Sequence, residues 1–325
     1  MDNELHWGLL STAGISRAVI PPLKKSPRNR LVAVASRELA RAKAFAAKWE
    51  IEKAFGSYEE LLADPDIDII YNPLPNALHA EWTIKALEAG KNVLCEKPLA
   101  TTTEEVEAII AAVKRTGKTV EEGFMYRHSP QTLKVKELID SGTIGKAVMM
   151  HGTFSFYLAN EQDIRMEADL GGGSIWDLGC YPISYFRYLC GMESDRVFGN
   201  KVDGKTGVDV TFSGEMHFPG NTLAQFQCSF RSSPGHQSIE ILGEEGQIFI
   251  SNPFLPGPKE EITVVKDTGT EKIEVDCGDL YAGEVEDMAD AVLNQKSTLV
   301  TLDDSLNNTR VIINLLESAR LGKMI

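Results

Sequence analysis

The chain has few of the features that would place it among secreted, metal-binding or membrane proteins. Its five cysteines are scattered, with no Cys-x-x-Cys pair and no His–Cys spacing typical of zinc. No apolar run reaches the roughly 18 residues that a membrane-spanning helix needs. The first residues include Asp2 and Glu4 and have no apolar signal core. We therefore expect a cytoplasmic protein with reduced thiols, no metal and no membrane contact.

Positive charge is also scarce. Lys and Arg number 33 against 47 Asp and Glu, which gives a net charge of −14. This net charge argues against a surface that binds polyanions such as nucleic acid, although it leaves room for a local basic pocket that holds one phosphate. The apolar content of 43% and charged content of 25% are typical of globular proteins. A chain of 325 residues is too long for one ordinary domain and predicts two.

The first part of the chain alternates strand-like and helix-like segments. Buried strands are predicted at residues 7–10, 31–36, 67–71, 92–96 and 118–123, and helices at residues 15–25, 38–49, 58–63, 79–89 and 103–116. This alternation predicts a doubly wound parallel sheet with helices on both faces, a Rossmann domain over residues 1–122.

After residue 123 the pattern changes to longer strands separated by Gly and Pro turns. We expect strands at residues 147–157, 208–218, 223–231, 237–242, 247–251 and 262–266. Helices are expected at residues 131–141, 174–189, 280–294 and 303–321. Residues 123–325 therefore predict an α+β domain, a mostly antiparallel sheet with helices on one face.

The strand at residues 92–96 ends in Glu96-Lys97-Pro98. The carboxyl ends of parallel strands are where open α/β sheets bind their ligands. A lysine partly withdrawn from water there has a lowered pKa, which suits acid/base chemistry. Pro98 is expected to begin the following helix. The alternative is a solvated lysine at a strand end.

A dinucleotide fold needs a tight turn after its first strand, so that backbone can approach a pyrophosphate. Here Ser11, Ala13 and Ser16 stand where the G-x-G-x-x-G fingerprint has glycine. Ser11 and Thr12 offer hydroxyls to a phosphate, and Gly14 permits close approach. An ordinary strand–helix turn remains the alternative.

The second strand ends in Ala35-Ser36-Arg37, without the acidic residue that favours NAD. Ser36 and Arg37 can bind a 2′-phosphate, which favours NADP, although Glu38 weakens this interpretation slightly. Alternatively, Ser36 caps the next helix and Arg37 is solvated. Farther along, the stiff loop containing Pro73, Leu74 and Asn76 could form a wall beside a nicotinamide. His79, at its end, is interpreted as bonded to backbone rather than catalytic.

A second constellation begins with Gly171-Gly172-Gly173 and continues into a helix. Asp177 and Tyr181 are four residues apart, so we expect them on one helical face. A carboxylate can orient a substrate hydroxyl there, and Tyr181 can exchange a proton if a cation such as Lys97 stabilises its phenolate. The alternative is a glycine-rich turn before a core helix.

These motifs together resemble the Gfo/Idh/MocA oxidoreductases over essentially the whole chain. Tyr181, the opening Trp7-Gly8-Leu9-Leu10-Ser11-Thr12-Ala13 and Pro253-Phe254 resemble the branch of dihydrodiol dehydrogenase and D-xylose dehydrogenase. The missing fingerprint glycines depart from the broad family. The resemblance rests on Pro75-Asn76 with His79, Glu96-Lys97-Pro98, Tyr126-Arg127-His128-Ser129-Pro130, and Gly171-Gly172-Gly173 with Asp177 and Tyr181.

The resemblance implies that the Rossmann domain is followed, over residues 123–325, by an open-faced α+β domain that binds substrate and whose sheet forms an oligomer interface, giving a homodimer or homotetramer. It also implies an NADP-dependent sugar dehydrogenase, with NAD possible, acting on an aldose such as D-xylose or D-glucose. Lys97, Tyr181 and Asp177 would be catalytic. A keto-sugar or sugar-nucleotide reductase, or a non-catalytic NAD(P)-binding sensor, are the alternatives. The expected cofactor contacts are Ser11, Thr12, Ala13, Gly14, Ile15, Ser36, Arg37, Pro73, Leu74, Asn76, His79, Glu96, Lys97 and Arg127. The expected substrate contacts are Lys97, Arg127, Phe154, Trp176, Asp177 and Tyr181, with Phe156 and Tyr157 as further candidates.

Overall fold

The computed structural model describes residues 4–325, which form two compact units. The first contains the residues up to Met125 together with Tyr281–Leu306, and the second contains Tyr126–Leu280 and Asn307–Ile325. That residues 1–122 and 123–325 are separate domains remains a prediction from the sequence. In the structure, the segment Tyr281–Leu306 returns to the first unit because its helix carries apolar side chains that cover that unit's sheet.

The first unit contains a parallel sheet, as the sequence predicts, and this sheet has six strands where five were expected. The spatial order is β3-β2-β1-β4-β5-β6, which is the strand order of a Rossmann fold. The prediction omitted β3, which has three half-buried residues, too few for a periodic pattern. The strands are β1 (Leu5–Leu10), β2 (Asn29–Ala35), β3 (Lys53–Phe55), β4 (Ile69–Asn72), β5 (Asn92–Glu96) and β6 (Val120–Gly123).

Six helices cover this sheet within the described residues. They begin where the sequence supplies a cap or a turn; Thr102, for example, forms a capping box with Glu105. The helices are α1 (Ser16–Lys25), α2 (Leu39–Trp49), α3 (Tyr58–Leu62), α4 (His79–Glu88), α5 (Thr103–Thr116) and α8 (Ala282–Asn294).

Successive residues of each strand face opposite sides of the sheet, so the apolar core has two layers. Ile70 and Val93 belong to the layer under α3, α4 and α5. Tyr71 and Leu94 belong to the opposite layer, under α1, α2 and α8. Burial on both faces explains why these strands read as continuous apolar runs in the sequence.

The second unit contains an eight-stranded sheet in the order β14-β13-β12-β11-β7-β10-β9-β8. Only β7 and β10 pair in parallel, so the predicted mostly antiparallel sheet is confirmed. The two edge strands, β8 and β14, were not predicted because their side chains are largely exposed and polar. The strands are β7 (Ala147–Tyr157), β8 (Arg196–Asp203), β9 (Asp209–Phe218), β10 (Thr222–Ser229), β11 (Arg231–Gly243), β12 (Gln247–Ile250), β13 (Lys259–Lys266) and β14 (Gly269–Asp276).

The helices of this part of the chain are α6 (Pro130–Asp140), α7 (Cys180–Cys190) and α9 (Leu302–Leu321), the last of which continues from the first unit. The helix expected at residues 174–189 is present, and its first part, Ile175–Gly179, is a π-helix that continues directly into α7. Within residues 4–325, none of the helices combines the length and the hydropathy required to cross a bilayer.

Candidate functional site

The turn between β1 and α1 leaves the amino end of α1 accessible. No side chain caps this helix, and its first turn contains no acidic residue. The space beside Gly14 is open, because a Cβ atom built there would meet no atom within 4 Å. Ser11 has a φ of 123°, in the region of backbone angles that favours glycine. The Ser11 hydroxyl accepts a hydrogen bond from the Ala13 N–H at 3.2 Å. The positive end of the helix dipole therefore fits an anionic group such as a pyrophosphate.

Ser36 directly follows β2 and is buried, and its hydroxyl accepts a long hydrogen bond, 3.4 Å, from the Glu38 N–H. Arg37 is exposed beside it, as is Arg41 on the first turn of α2. Burial raises the pKa of the Tyr58 hydroxyl, and the charges of both arginines act to lower it, so both guanidinium groups lie near that ring. Sequence analysis missed Arg41, although its spacing of four residues from Arg37 was an available signal.

His79 links two loops of the first unit. Its Nε2 atom lies 2.6 Å from the Leu74 carbonyl oxygen and its Nδ1 atom 2.7 Å from the Pro98 carbonyl oxygen. Burial lowers the pKa of His79 to about 4, outweighing the two carbonyls, so the ring is neutral at pH 7 and donates one N–H. This arrangement matches the backbone-bonded role expected from the sequence. Nearby, Pro73 is buried and Asn76 begins a short 3₁₀ turn.

Glu96 is the last residue of β5, and its Oε1 atom accepts a hydrogen bond of 2.5 Å from the Tyr71 hydroxyl. Lys97 follows and is half-buried, and the peptide bond to Pro98 is cis. The expectation that Pro98 begins a helix is wrong. α5 begins at Thr103, because the Thr102 side chain caps it.

The glycine-rich loop of the second unit is anchored by Asp209 on β9, which sequence analysis missed. The Asp209 Oδ2 atom accepts hydrogen bonds from the Ser174 hydroxyl at 2.5 Å and the Ile175 N–H at 2.9 Å. Gly173 has a φ of 121°, and a Cβ there would lie 2.4 Å from Asp209 Oδ1, so only glycine fits. Burial raises the pKa of Asp209, and the two hydrogen bonds oppose that shift.

Asp177 lies within the π-helix, where a guanidinium group orients its carboxylate. The Arg165 Nε atom donates to Asp177 Oδ2 at 2.8 Å, and Arg165 Nη1 donates to Asp163 Oδ1 at 3.1 Å. The charge of Asp177 is the main reason that the pKa of Arg165 is raised. Arg165 was not foreseen, because no helical spacing relates it to Asp177.

Tyr181 lies in the first turn of α7 and packs among aromatic rings. Its ring centre is 5.2 Å from that of Phe154, 5.7 Å from that of Tyr126 and 5.5 Å from that of Phe254. Phe254 was noted in the sequence only as part of a Pro-Phe element and is fully buried here. We call Tyr126, Phe154, Tyr181, Tyr185 and Phe254 the aromatic cluster.

The remaining expected substrate residues are more scattered. Trp176 is buried in the π-helix, and Phe156 packs against Phe230. Tyr157 is 60% exposed. Arg127 is only 4% exposed; its guanidinium carbon lies 4.0 Å from the centre of the Tyr188 ring, and its Nη1 donates to the Ser184 hydroxyl at 3.4 Å.

Within the first unit, the expected cofactor residues follow the carboxyl ends of four adjacent strands. Residues 11–15 follow β1, Ser36 and Arg37 follow β2, the loop at residues 73–79 follows β4, and Glu96 with Lys97 ends β5. In the order β2-β1-β4-β5 these strands are neighbours, so the residues share one edge of the sheet. This edge and the strand order are those of a dinucleotide-binding Rossmann fold.

The comparison with known proteins agrees with this class. The sequence profile described as the oxidoreductase family Gfo/Idh/MocA, NAD-binding Rossmann fold, matches residues 5–124, and the profile of the Gfo/Idh/MocA C-terminal domain matches residues 132–249. The chain belongs to the Gfo/Idh/MocA oxidoreductase family.

Several relatives match along nearly the whole chain. D-xylose 1-dehydrogenase (NADP(+)) 2 of Haloferax volcanii is 36% identical over 325 residues, covering 99% of both chains. Trans-1,2-dihydrobenzene-1,2-diol dehydrogenase of Xenopus laevis is 32% identical over 329 residues, covering 98% of both. The crystal structure of a 3-ketoreductase from Actinomadura kijaniata, in complex with NADP and TDP-benzene, superimposes with a TM-score of 0.92 at 29% identity, covering 97% of this chain and 98% of that one.

Proposed function

We propose that this protein is an NADP-dependent dehydrogenase that oxidises a hydroxyl group of an uncharged aldose such as D-xylose or D-glucose. The observation that carries the proposal is the placement of Tyr181 within the aromatic cluster, four residues after a carboxylate that Arg165 orients. Aromatic faces suit the apolar side of a pyranose, and a fixed carboxylate suits its hydroxyls. The match to a D-xylose dehydrogenase over nearly the whole chain supports the same substrate class.

The charge of the segment before the glycine-rich loop favours an uncharged substrate. Residues 158–171 contain four carboxylates, Glu161, Asp163, Glu167 and Asp169, against one guanidinium, Arg165. Arg165 is bonded to Asp163 and Asp177, so its charge is already compensated. Lys205 is bonded to Glu161, so the remaining negative charge of the segment lies at Glu167 and Asp169. This charge disfavours a diphosphate and does not affect a neutral sugar.

The residues of the first unit fit NADP. The uncapped amino end of α1 suits the pyrophosphate, and Ser36 with the Arg37–Arg41 pair suits a 2′-phosphate, because bidentate guanidinium groups bind phosphate well. No acidic residue occupies the tip of β2 to bind ribose hydroxyls instead. When bound, the nicotinamide takes up the hydride released from the substrate carbon.

The protein's own residues would handle the proton. In this proposal Lys97 stabilises the phenolate form of Tyr181, the phenolate oxygen takes the proton of the reacting hydroxyl and becomes a neutral phenol, and Asp177 orients the sugar. The reverse assignment, with Lys97 as proton acceptor, predicts the same pH dependence of the rate, because coupled groups titrate as a pair.

We also infer a homodimer or homotetramer in the cytoplasm. Phe249 and Val265 are exposed large apolar residues on one face of the second unit's sheet, and Val265 lies two residues beyond the partner of Phe249 in the strand register. Light scattering of the purified protein would measure the assembly.

A second candidate is reduction of a keto-sugar nucleotide. The likeness to the Actinomadura kijaniata 3-ketoreductase bound to TDP-benzene favours it. The acidic segment at residues 158–171 is the feature that argues against it.

The test is the absorbance of reduced nicotinamide with purified protein, NADP⁺ or NAD⁺, and a panel of aldoses, inositols and trans-dihydrodiols. We expect NADPH formation with an aldopentose or aldohexose. Turnover confined to a keto-sugar nucleotide with NADPH would replace the proposal with the second candidate. Tight NADPH binding without any turnover would indicate a sensor.

Lys97→Ala should lower kcat by about two to four orders of magnitude, because it removes a group that assists proton transfer. Lys114→Ala, at an exposed lysine of α5, is the matched control and should leave kcat unchanged. A Lys97→Ala enzyme with kcat near the unaltered value would remove Lys97 from the reaction.

A further inference from the structure

The carboxyl group of Glu284, in the first turn of α8, is buried in the first unit, where no hydrogen-bond donor of the described residues reaches it. The residue is 0% exposed, and neither of its oxygen atoms accepts a hydrogen bond from those residues. An ionised carboxylate left unpaired in such a place costs several kcal/mol. No role in cofactor or substrate binding accounts for this acid.

Glu284 lies beside the end of β5. A Cβ atom built on Gly123 would lie 3.6 Å from Glu284 Oε2 and 3.6 Å from the Cα atom of Glu96. The absence of a side chain at Gly123 therefore leaves the space in which the two acids approach each other. On the far side, the fully buried Tyr71 donates its hydroxyl to Glu96.

Four titratable groups interact electrostatically with Glu284. They are Glu96 at the end of β5, Tyr71 on β4, Tyr281 before α8, and Glu121 on β6. All four are acids, so none of them supplies a positive charge to compensate a Glu284 carboxylate. A carboxyl group in such surroundings lowers its free energy by keeping a proton and sharing it with a neighbouring carboxylate.

We propose that Glu284 keeps its proton at neutral pH and donates it in a hydrogen bond to the carboxylate of Glu96, which Tyr71 binds from the other side. The Glu96–Glu284 pair then carries one negative charge. Glu284 is a positioning residue: it holds the orientation and the single charge of Glu96, the residue that precedes Lys97. The link to Lys97 rests on the proposed function, whereas the protonation of Glu284 does not.

Electrostatics agrees with the geometry. Burial raises the pKa of Glu284 well above its ordinary value, and the charge of Glu96 raises it further. Burial, followed by the same two glutamates, also raises the pKa of Tyr71 and of Tyr281, so both tyrosines remain neutral donors. A second ionisation in the pair, at high pH, would place another negative charge near Lys97 and favour its ammonium form.

Infrared spectroscopy tests the protonation directly. The spectrum of the unaltered protein at pH 7, minus that of Glu284→Gln, should contain the carbonyl band of a protonated carboxylic acid. Glu286→Gln, which changes a partly exposed acid two residues along the same helix, should give no such difference. The absence of the band from the first difference would overturn the proposal.

A second variant keeps the test decisive if Glu284→Gln does not fold. Burial also raises the pKa of Glu121, so that acid is the competing source of a protonated band. Labelling the glutamate side chains with ¹³C shifts the carbonyl band of a protonated glutamic acid and so identifies it. This shifted band should still be present in Glu121→Gln. Complete loss of the band in Glu121→Gln would assign the proton to Glu121 and contradict the proposal.

Kinetics tests the positioning role. Glu284→Gln retains a hydrogen-bond donor and should keep kcat within about threefold, with a pH profile that lacks the alkaline change caused by Glu284 ionisation. Glu284→Leu has no donor and should lower kcat about tenfold, although its thermal unfolding midpoint is unchanged or raised. Equal losses in both variants, or losses that follow the unfolding midpoint, would indicate a structural role only.

Discussion

At the scale of single residues, His79 and Arg37 are the residues of the first unit whose replacement has the most specific expected effects. Both lie at the edge of the sheet formed by the carboxyl ends of the strands. The His79 ring lies between the carbonyls of Leu74 and Pro98, so it ties the loop after β4 to the segment that follows Lys97. Ser36 and Arg37, rather than an acid, directly follow the end of β2, where an acidic residue would favour NAD. His79 and Arg37 each lead to a measurable effect.

The first effect is a loss of stability in acid. In the folded protein the pKa of His79 is lowered by burial to about 4, below its ordinary value of 6.5. Below about pH 6.5 the unfolded chain binds a proton at this histidine, whereas the folded chain does not bind it until the pH is near 4. The free energy of unfolding is therefore lower by about 3 kcal/mol near pH 4 than at neutral pH. His79→Gln should flatten the dependence of the unfolding free energy on pH across this window.

Urea unfolding at a series of pH values measures the slope. His236→Gln, at an exposed histidine of β11, is the control and should leave the slope unchanged. If His79→Gln retains the full acid dependence, the buried histidine is not its source.

The second effect concerns the cofactor. Arg37→Ala should raise KM for NADP about tenfold or more while changing KM for NAD little, because a charge-assisted bond to phosphate is worth roughly 1.5–3 kcal/mol. Initial rates with each cofactor give both constants. Arg30→Ala, at an exposed arginine near the other end of β2, should change neither. Equal changes for the two cofactors would indicate that Arg37 does not contact the 2′-phosphate.

At the scale of secondary-structure elements, the π-helix Ile175–Gly179 is the feature that local sequence patterns did not indicate. Five-residue π segments often occur at functional sites, and this one contains Asp177. Its amino end depends on Asp209, a residue of β9 that lies 34 positions beyond Ile175 and accepts its N–H. The position of Asp177 is therefore set partly from a neighbouring strand.

Asp209→Asn should destabilise the protein by roughly 1–3 kcal/mol, because an amide nitrogen facing Ser174 and Ile175 leaves buried donors without an acceptor. We also expect a higher KM for the sugar, since the π-helix would lose its anchor. Chemical unfolding and initial rates measure the two effects. Asp203→Asn, an exposed residue at the end of β8, should have neither. Unchanged stability in Asp209→Asn would show that the anchor is dispensable.

At the scale of the whole molecule, the first unit is discontinuous in sequence. Val285, Met288 and Ala289 of α8 are fully buried in the layer that also contains Trp7 and Tyr71. A protein ending at Met125 would expose the strand residues that α8 covers.

We predict that a fragment of residues 1–125 will unfold without a cooperative transition. The same fragment joined by a flexible linker to residues 281–306 should unfold cooperatively. Burial of each large apolar side chain of α8 contributes about 1.5–3 kcal/mol, which gives roughly 5 kcal/mol in total. Thermal unfolding by circular dichroism distinguishes the two. Val285→Asp in the joined form is the control and should abolish the gain; a cooperative transition in the short fragment would contradict the prediction.

Much of the fold and part of the candidate site could be predicted from the sequence alone. The β-α alternation and the apolar strand runs predicted the Rossmann sheet, because a strand buried on both faces must be apolar throughout. The residues that follow β1, β2, β4 and β5 were expected at one edge of the sheet, because the carboxyl ends of parallel strands all lie at the same edge. The short β3 and the polar edge strands β8 and β14 were missed, because they bury too little to leave a pattern.

The sequence by itself determined which residue types follow each strand. Those residues indicated the family and the class of reaction to test. Only the tertiary structure decided which distant side chains act on them. Asp209 bonds Ser174 from 35 positions away, Arg165 bonds Asp177 without helical spacing, and α8 returns to cover the first sheet. Local periodicity in the sequence indicates which side of a helix or strand is buried, but it does not indicate which distant residue packs against that side. These contacts are therefore decided by tertiary packing alone.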